Sequence, residues 1–420
     1  MIKADNNKLS YRDMINIVEE LSQRSICLSC GEDIYFLNGK CSNCGKQFEN
    51  VQYVSKYINE ILYSIRDKTL ELDELTIALY AIKDRIPEVN EILKKNNIEE
   101  KLHKKLNDIN QSLANGEVLK QDDDLFLKTC LSNNIKPKDG LNDIAIFRNI
   151  FSHDKDKIVS YETFKQVIKS FIKDTMREIN GNRINNYNPV CFVYDFKATN
   201  NENSDGISNK HFIMKINDKI IEDMYNNYSV LDFVTIFHEL AHIQQNIDIK
   251  LGCFTEDILN FIKDDILRDL CHREGFDYYK ENYQVITSEK DAEIKGYVFA
   301  INFLEQVLNI KLKDEILTDL DKKISVQLEQ KSNLLRKTNN GEQDINSLFD
   351  YYIKNHPEFL EKYPQLSVEY IVSDGIVRRK TNDELMETLT LYQEQPVIVL
   401  YINQILSSQM KLNNGITSHK

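Results

Sequence analysis

The sequence predicts an α+β protein that is mostly helical, and three observations carry that expectation. Apolar residues recur at three- and four-residue steps from about 51 to 135, and helical patterning dominates again after 229. Stretches of β type are few and short, at 190–196, 211–217, 368–372 and 376–379. A cysteine cluster within 25–50 stands apart from both patterns. The chain therefore divides into an N-terminal helix and cysteine module (1–50), a helical spacer (51–150) and a third domain with a helical C-terminal part (151–420).

Residues 8–24 read as a short amphipathic helix leading into the cysteines. In the spacer, Leu62, Ile65, Leu70, Leu72, Leu75, Leu79 and Ile82 mark helical faces amid Glu, Lys and Asp, and Pro87 interrupts the second helix. Residues 136–160 look like a junction, followed by a helix at 161–180. Two strands are expected next, Val190 to Phe196 and His211 to Asn217, separated by a polar loop. Helices follow at about 229–247, 255–272, 288–309, 312–335 and 342–354. Near the end, Val368–Val372 and Ile376–Arg379 flank Ser-Asp-Gly as a hairpin would.

Composition narrows the function classes. Hydrophobic residues at 41% and charged residues at 28% are the balance of an ordinary soluble chain. The net charge of -13 argues against a chain-wide nucleic-acid surface. No apolar run is long enough to span a membrane, and the N-terminus lacks a basic-then-apolar export signal, so a cytoplasmic setting is expected. In such a reducing compartment the scattered Cys130, Cys191, Cys253 and Cys271 read as buried apolar side chains rather than disulfide partners.

The chemistry centres on Ile236-Phe237-His238-Glu239-Leu240-Ala241-His242-Ile243. Histidines four apart on a helix point the same way and can share one metal ion. Glu239 cannot share their direction, but it can reach a water at an open metal position and act as general base. Phe233, Ile236, Leu240 and Ile243 fall on the opposite side and should anchor the helix in a core. Ser229, with Asp232 three residues on, forms a capping-box pattern just before the apolar run.

This segment resembles the active-site helix of the zincin metallopeptidases, and the residues downstream of it resemble their gluzincin branch. The resemblance is one of motif and covers about 190–310. It implies a third ligand from a glutamate on a later helix, with an acidic residue four positions on supporting a ligand histidine. Ser288-Glu289-Lys290-Asp291-Ala292-Glu293 offers Glu289 as that ligand and Glu293 as the supporting carboxylate, where the family usually carries aspartate. Ala292, Gly296 and Ala300 form a small-residue stripe that would let this helix approach the histidine helix. Asp248, six residues after His242, is a competing ligand at a metzincin-like position, but Gln245 stands where that pattern needs glycine. His272 is a third candidate. The resemblance further implies a small mixed sheet over the active-site helix, with His211 to Asn217 as the edge strand that pairs with extended substrate. Tyr283, Tyr297 and His272 are available to steady an oxyanion.

Cys27-Leu-Ser-Cys30-Gly31 and Cys41-Ser-Asn-Cys44-Gly45 form two matched knuckles that resemble a zinc ribbon. Four thiolates so spaced hold a structural Zn²⁺, in a module too small for its own core. With Tyr35, Phe36 and Leu37 between the knuckles and a local balance near neutrality, docking of a protein partner fits better than nucleic acid. The sequence thus points to a zinc metallopeptidase carrying one catalytic and one structural Zn²⁺ and acting on a chosen protein or peptide. The alternative is a non-catalytic ribbon adaptor that keeps a zincin-like fold. Glu239 speaks against the adaptor, because only chemistry needs it there.

Overall fold

In the computed structural model, the described residues are 51–84, 86–152, 156–180, 206–208, 214–312 and 335–416, with isolated helical positions between 314 and 325. The cysteine module and the expected strand at 190–196 lie outside them. Two compact units emerge, one from residues up to 207 with 211–232 and 303–311, the other from 208–210, 233–302 and 312–420. No helix among the described residues is long and apolar enough to cross a membrane.

The first unit opens with α1 (Val51–Ile65), α2 (Glu74–Ala81), α3 (Pro87–Lys95) and α4 (Ile98–Ala114). Pro87 sits at the first position of α3, where its missing N–H costs nothing, so it starts a helix as well as ending the preceding pattern. Ile98, Leu102, Leu106, Ile109 and Leu113 are all buried along one face of α4, the 3.6-residue period made visible. Leu70, expected within a helix, is buried from the loop between α1 and α2, where Asn96 Oδ1 accepts from its N–H at 3.0 Å. Next come α5 (Gln121–Ser132), α6 (Asp143–Phe151) and α7 (Tyr161–Asn180), with α7 packed on α5. The stretch expected as a junction thus contains a helix. Asn142 caps it, accepting from the Ala145 N–H, and it buries Ile146, Phe147 and Ile150. Phe147 meets Phe164, Phe171 and Phe303 edge to face, at centroid distances of 6.1, 5.4 and 6.2 Å. Two short strands, β1 (Gly206–Ser208) and β2 (Met214–Ile216), pair before α8 (Asp218–Asn226).

The second unit carries α9 (Asp232–Lys250), α10 (Glu256–Arg273) and α11 (Tyr278–Asn282), then a 3₁₀ turn (Tyr283–Val285) and α12 (Thr287–Asn302). The π turn Phe303–Val307 follows α12 and belongs to the first unit, where Arg148 donates to the Val307 and Leu308 carbonyls. α9 starts at Asp232, so Ser229 lies outside the cap position and the expected capping box does not form; Asp232 instead brings its charge to the first turn. The described positions between 314 and 325 are helical, as expected of 312–335, and at Leu335 a hairpin of β3 (Leu335–Thr338) and β4 (Gly341–Asp344) begins, turning through Asn339-Asn340. The unit continues with α13 (Ile345–Ile353), α14 (Glu358–Lys362) and the hairpin of β5 (Tyr370–Ser373) and β6 (Ile376–Arg379). It closes with α15 (Asn382–Leu391) and α16 (Pro396–Ile416). The second hairpin is the one expected around Ser-Asp-Gly, and Asp374 and Gly375 both take positive φ, as its two-residue loop demands.

Within this unit α10 runs through an extensive apolar cluster, burying Leu259, Ile262, Ile266, Leu267 and Leu270 against Phe349, Ile353 and Leu366. Lys263 is buried beside them and donates to both oxygens of the buried Glu369, an ion pair with its hydrogen bonds made. The expected class, α+β and mostly helical, is what the described residues show. The small mixed sheet expected over the histidine helix is not among them: the described strands pair only in twos.

The first unit also holds a carboxyl whose charge is costly. Burial, reinforced by the nearby Asp174, pushes the Asp143 carboxyl up to about 6, although the Ile144 N–H donates to it. A folded-state value above the unfolded one means that its favourable contribution is complete below about pH 4 and is lost as pH rises through 6. Asp143→Asn is therefore expected to stabilise the chain at pH 7.5, on the order of 1–2 kcal/mol, and to do little at pH 4. Thermal unfolding of both proteins at the two pH values checks the sign.

Candidate metal centre

The histidine helix is held from its apolar side. Phe233, Ile236, Leu240 and Ile243 are essentially inaccessible, as their spacing opposite the histidines requires. Burial extends further than that pattern implied: Glu239 and Gln245 are also buried, while the His238 and His242 side chains keep 17% and 14% exposure. One helical turn separates the two imidazoles. Their rings meet edge to face with centroids 4.7 Å apart, and their Nε2 atoms are 3.1 Å apart.

The third group comes from α12, and glycine makes its approach possible. A Cβ on Gly296 would lie 3.0 Å from the Val234 carbonyl and 3.1 Å from both N and Cβ of His238. At such distances the two helices touch backbone to backbone. Ala292 and Ala300, one turn to either side, are fully buried and complete the small-residue stripe. Glu289 stands in the first turn of α12, where the helix dipole favours its charge. The N–H of Thr287, which opens that helix, donates to Asp264 Oδ2 at 2.9 Å. Asp264 Oδ1 accepts from the Tyr278 hydroxyl and from the wholly buried Arg336.

Three ligand atoms result. Glu289 Oε2 is 3.3 Å from His242 Nε2 and 3.5 Å from His238 Nε2. Zinc bonds of about 2.0–2.2 Å at tetrahedral angles separate neighbouring ligand atoms by about 3.3–3.6 Å. The observed triangle has almost those edges, and no other group of three His, Cys, Asp or Glu ligand atoms among the described residues converges in this way.

Hydrogen bonding fixes which nitrogens face the centre. Gln245 Nε2 donates to the Ser288 carbonyl at 2.9 Å and to Asp291 Oδ2 at 2.8 Å, both acceptors only. Its Oε1 must therefore be the atom 2.9 Å from His242 Nδ1, and that nitrogen carries the proton. A neutral His242 then turns its Nε2 lone pair towards Glu289 Oε2 and the Nε2 of His238. Electron-rich atoms packed so closely need a cation among them, either a proton or a metal ion. In its protonated form, burial opposes the charge on His242, yet the hydrogen bond and charge of Glu289 push it up to about 9. Burial would likewise raise the Glu289 carboxyl, but hydrogen bonds from His238 and His242 hold it far below the usual carboxylate range. The charge of buried Glu239 also acts on His242.

Tyrosines line the same place. Tyr279 donates to Glu289 Oε1 at 2.5 Å, and Tyr283 packs edge-on against its ring at 5.4 Å. Burial and the Glu289 charge push both phenols above their ordinary value, so both remain protonated donors.

Of the residues expected from the sequence, His238, Glu239, His242 and Glu289 come together, with Tyr283 beside them. Glu293 does not take the supporting role: it is half-buried and makes no hydrogen bond to either histidine, and Gln245 backed by Asp291 holds His242 instead. Lys295 pairs with Asp291 at 2.8 Å and completes that chain. Asp248 lies in the last turn of α9, its carboxylate 3.9 Å from Cys253 Sγ and outside the ligand group. His272 is exposed at the end of α10, and Tyr297 is two turns beyond Glu289 on α12. Cys27, Cys30, Cys41 and Cys44 lie outside the described residues. Gln245, Asp291 and Tyr279 were not expected. Gln245 had a signal, three residues after His242 on the same helix face, whereas Tyr279 has only its neighbourhood to Glu289 in the chain.

Comparison with known proteins adds no further constraint: no family model, curated protein or solved structure matches the chain.

The close contact at Gly296 gives a direct test. A methyl group there must push α12 away from α9, widening the triangle while leaving all three ligands in place. Gly296→Ala is expected to cost about 1–3 kcal/mol of stability and to weaken Zn²⁺ capture. Thermal unfolding and a Zn²⁺ titration of wild type and variant measure the two effects, and an unchanged titration would contradict this account of the contact.

Proposed function

We propose that this chain is a zinc-dependent metallopeptidase of the gluzincin type. The observation that carries the reading is the 3.1–3.5 Å triangle of His238, His242 and Glu289 with the buried carboxylate of Glu239 on the same helix. Two imidazole nitrogens and one carboxylate oxygen are the donor set of catalytic Zn²⁺ sites that keep an open position. When bound, Zn²⁺ would lower the pKa of a water molecule and polarise a substrate carbonyl.

The chain's own residues supply the rest. His238, His242 and Glu289 would hold the ion, and Gln245 keeps His242 in the tautomer that presents Nε2. Glu239 takes the proton of the attacking water and returns it to the departing amine. Tyr283, a protonated phenol beside the site, would donate to the developing oxyanion. The substrate would be a chosen protein or peptide, and the cytoplasm is the setting the sequence favours. Cys27, Cys30, Cys41 and Cys44 would hold a second, structural Zn²⁺ in a ribbon suited to docking a protein partner.

Metal analysis and cleavage of a mixed peptide library test the reading together. Wild type is expected to hold two Zn²⁺ ions and to cut. Glu239→Ala should keep both ions and lose cleavage by about 10³-fold or more. His238→Ala and Glu289→Ala should each retain only one ion. A single ion that survives His238→Ala would remove the catalytic site from the proposal, and loss of that ion only in Glu293→Ala would move the third ligand. Full zinc occupancy without cleavage of any peptide or protein would favour the adaptor.

A further inference from the structure

We propose that Tyr279 is a positioning residue that restricts Glu289 to ligation through a single oxygen. The inference rests on the metal site described above and not on peptide hydrolysis. The two carboxylate oxygens of Glu289 have different partners. Oε2 faces the two histidine Nε2 atoms at 3.3 and 3.5 Å, whereas Oε1 accepts from the Tyr279 hydroxyl at 2.5 Å. A short hydrogen bond to an ionised oxygen is of the strong, charge-assisted kind. It ties up the oxygen that would otherwise be free to turn to a metal ion. With three single-atom ligands, a tetrahedral ion keeps one position for water or substrate; a carboxylate bound through both oxygens would crowd that position.

The phenol is held there by its neighbours on either side in the chain. Tyr278 is 1% exposed, donates to Asp264 Oδ1 at 2.7 Å and accepts from Arg336 Nε at 2.9 Å. Asn282, also buried, accepts from the Lys337 N–H at 2.7 Å and donates to the Lys337 carbonyl at 3.2 Å. Both ends of α11 are thus pinned to β3. Asp264 Oδ2 meanwhile accepts from the N–H of Thr287, two residues before Glu289. One carboxylate therefore fixes the segment that carries the phenol and the helix that carries its acceptor, and their separation is built into the core. Tyr279 itself keeps 37% exposure, and its ring rests edge-on against Tyr283.

The test uses the full chain with Tyr279→Phe, which removes one oxygen and keeps the ring. Metal at the triad is read as the difference between each protein and its His238→Ala counterpart, by Zn²⁺ competition with a chromophoric chelator and by the visible absorption of Co²⁺. Tyr279→Phe is expected to weaken metal affinity roughly 10- to 100-fold, the usual effect of losing a hydrogen bond to a ligand. It should also change the Co²⁺ band shape and intensity as the coordination number rises. Tyr352→Phe, whose hydroxyl donates to Glu274 outside the ligand group, should change neither. In a Glu289→Ala background the further change Tyr279→Phe should have no effect on residual metal binding, because the oxygen it holds is gone. The metal-free Tyr279→Phe protein should unfold cooperatively with its midpoint lowered by no more than a few degrees, the loss of one hydrogen bond to Glu289, whereas a merely structural role would lower the unfolding temperature without altering the Co²⁺ spectrum. A Tyr279→Phe protein with wild-type affinity and an unaltered Co²⁺ spectrum would overturn the inference alone. A wild type that shows no metal dependent on His238 would overturn both it and the metal site.

Discussion

Gly296 lies against His238 with no room for a methyl group, and from that contact the rest of the candidate site takes its dimensions. Histidines at four-residue spacing can share an ion on any helix, but a third ligand from another helix reaches them only if the two axes come close. An alanine in place of Gly296 would already meet backbone atoms at 3.0–3.1 Å. With Ala292 and Ala300 buried one turn to either side, the glutamate helix presents almost no side-chain bulk along this line. Glu289 lies nearly two turns before the contact, and its length suffices to bring one oxygen within 3.5 Å of both imidazoles. The ligand triangle is thus a product of backbone packing.

Charge imposes a second condition on the same atoms. An isolated buried carboxylate is expensive, and two imidazole nitrogens facing one another offer it nothing unless a proton or a metal ion joins them. The surrounding groups are arranged as if for the cation. Gln245 fixes the His242 proton on Nδ1, Asp291 and the Ser288 carbonyl fix Gln245, and Lys295 balances Asp291. On the other flank Tyr279 donates to Glu289 Oε1. Donors and acceptors alternate outward from the triangle in both directions, which is how a polar cluster is satisfied at low local dielectric. The unit uses the same logic elsewhere: Lys263 meets Glu369 among apolar side chains, and Arg336 meets Asp264 and Tyr278.

Much of this was legible in the sequence, because local rules govern it. The histidine pair, Glu239 and the apolar face of α9 follow from helical periodicity, and Glu289 with its small-residue stripe follows from the resemblance and from spacing. The residues that escaped are those whose meaning depends on a second element. Glu293 matched the family's spacing, but Gln245, one helical turn after His242, reaches the imidazole first and needs no partner helix to do so. Tyr278 and Tyr279 read as an ordinary aromatic pair until the fold places one on Asp264 and the other on Glu289. The hairpin at 335–344 was hidden by its polarity, since Leu335-Arg336-Lys337-Thr338 lacks the apolar alternation of a half-buried strand. Its inward residue is Arg336, a charge buried only because Asp264 and Tyr278 await it. Turn chemistry was the better guide: Asp374-Gly375 announced the C-terminal hairpin, and Asn339-Asn340-Gly341 could have announced this one.

Asp264 links these observations to the stability of the site. It lies on α10, whose apolar face packs into a core of its unit, and it reaches both the start of the glutamate helix and the tyrosine segment. The positions of Glu289 and Tyr279 are consequently set by packing that exists whether or not an ion is bound. Such a site would be preorganised for an ion: binding energy would go to affinity and to holding an open coordination position, and little of it would be spent on ordering the chain. The cysteine knuckles of the N-terminal module stand in contrast at the level of sequence, since a segment of that length has too few apolar residues to fold on its own and would draw its stability from the metal itself. One chain would then use the same ion in two ways, as a substitute for a core in one module and as a reagent held by a core in the other.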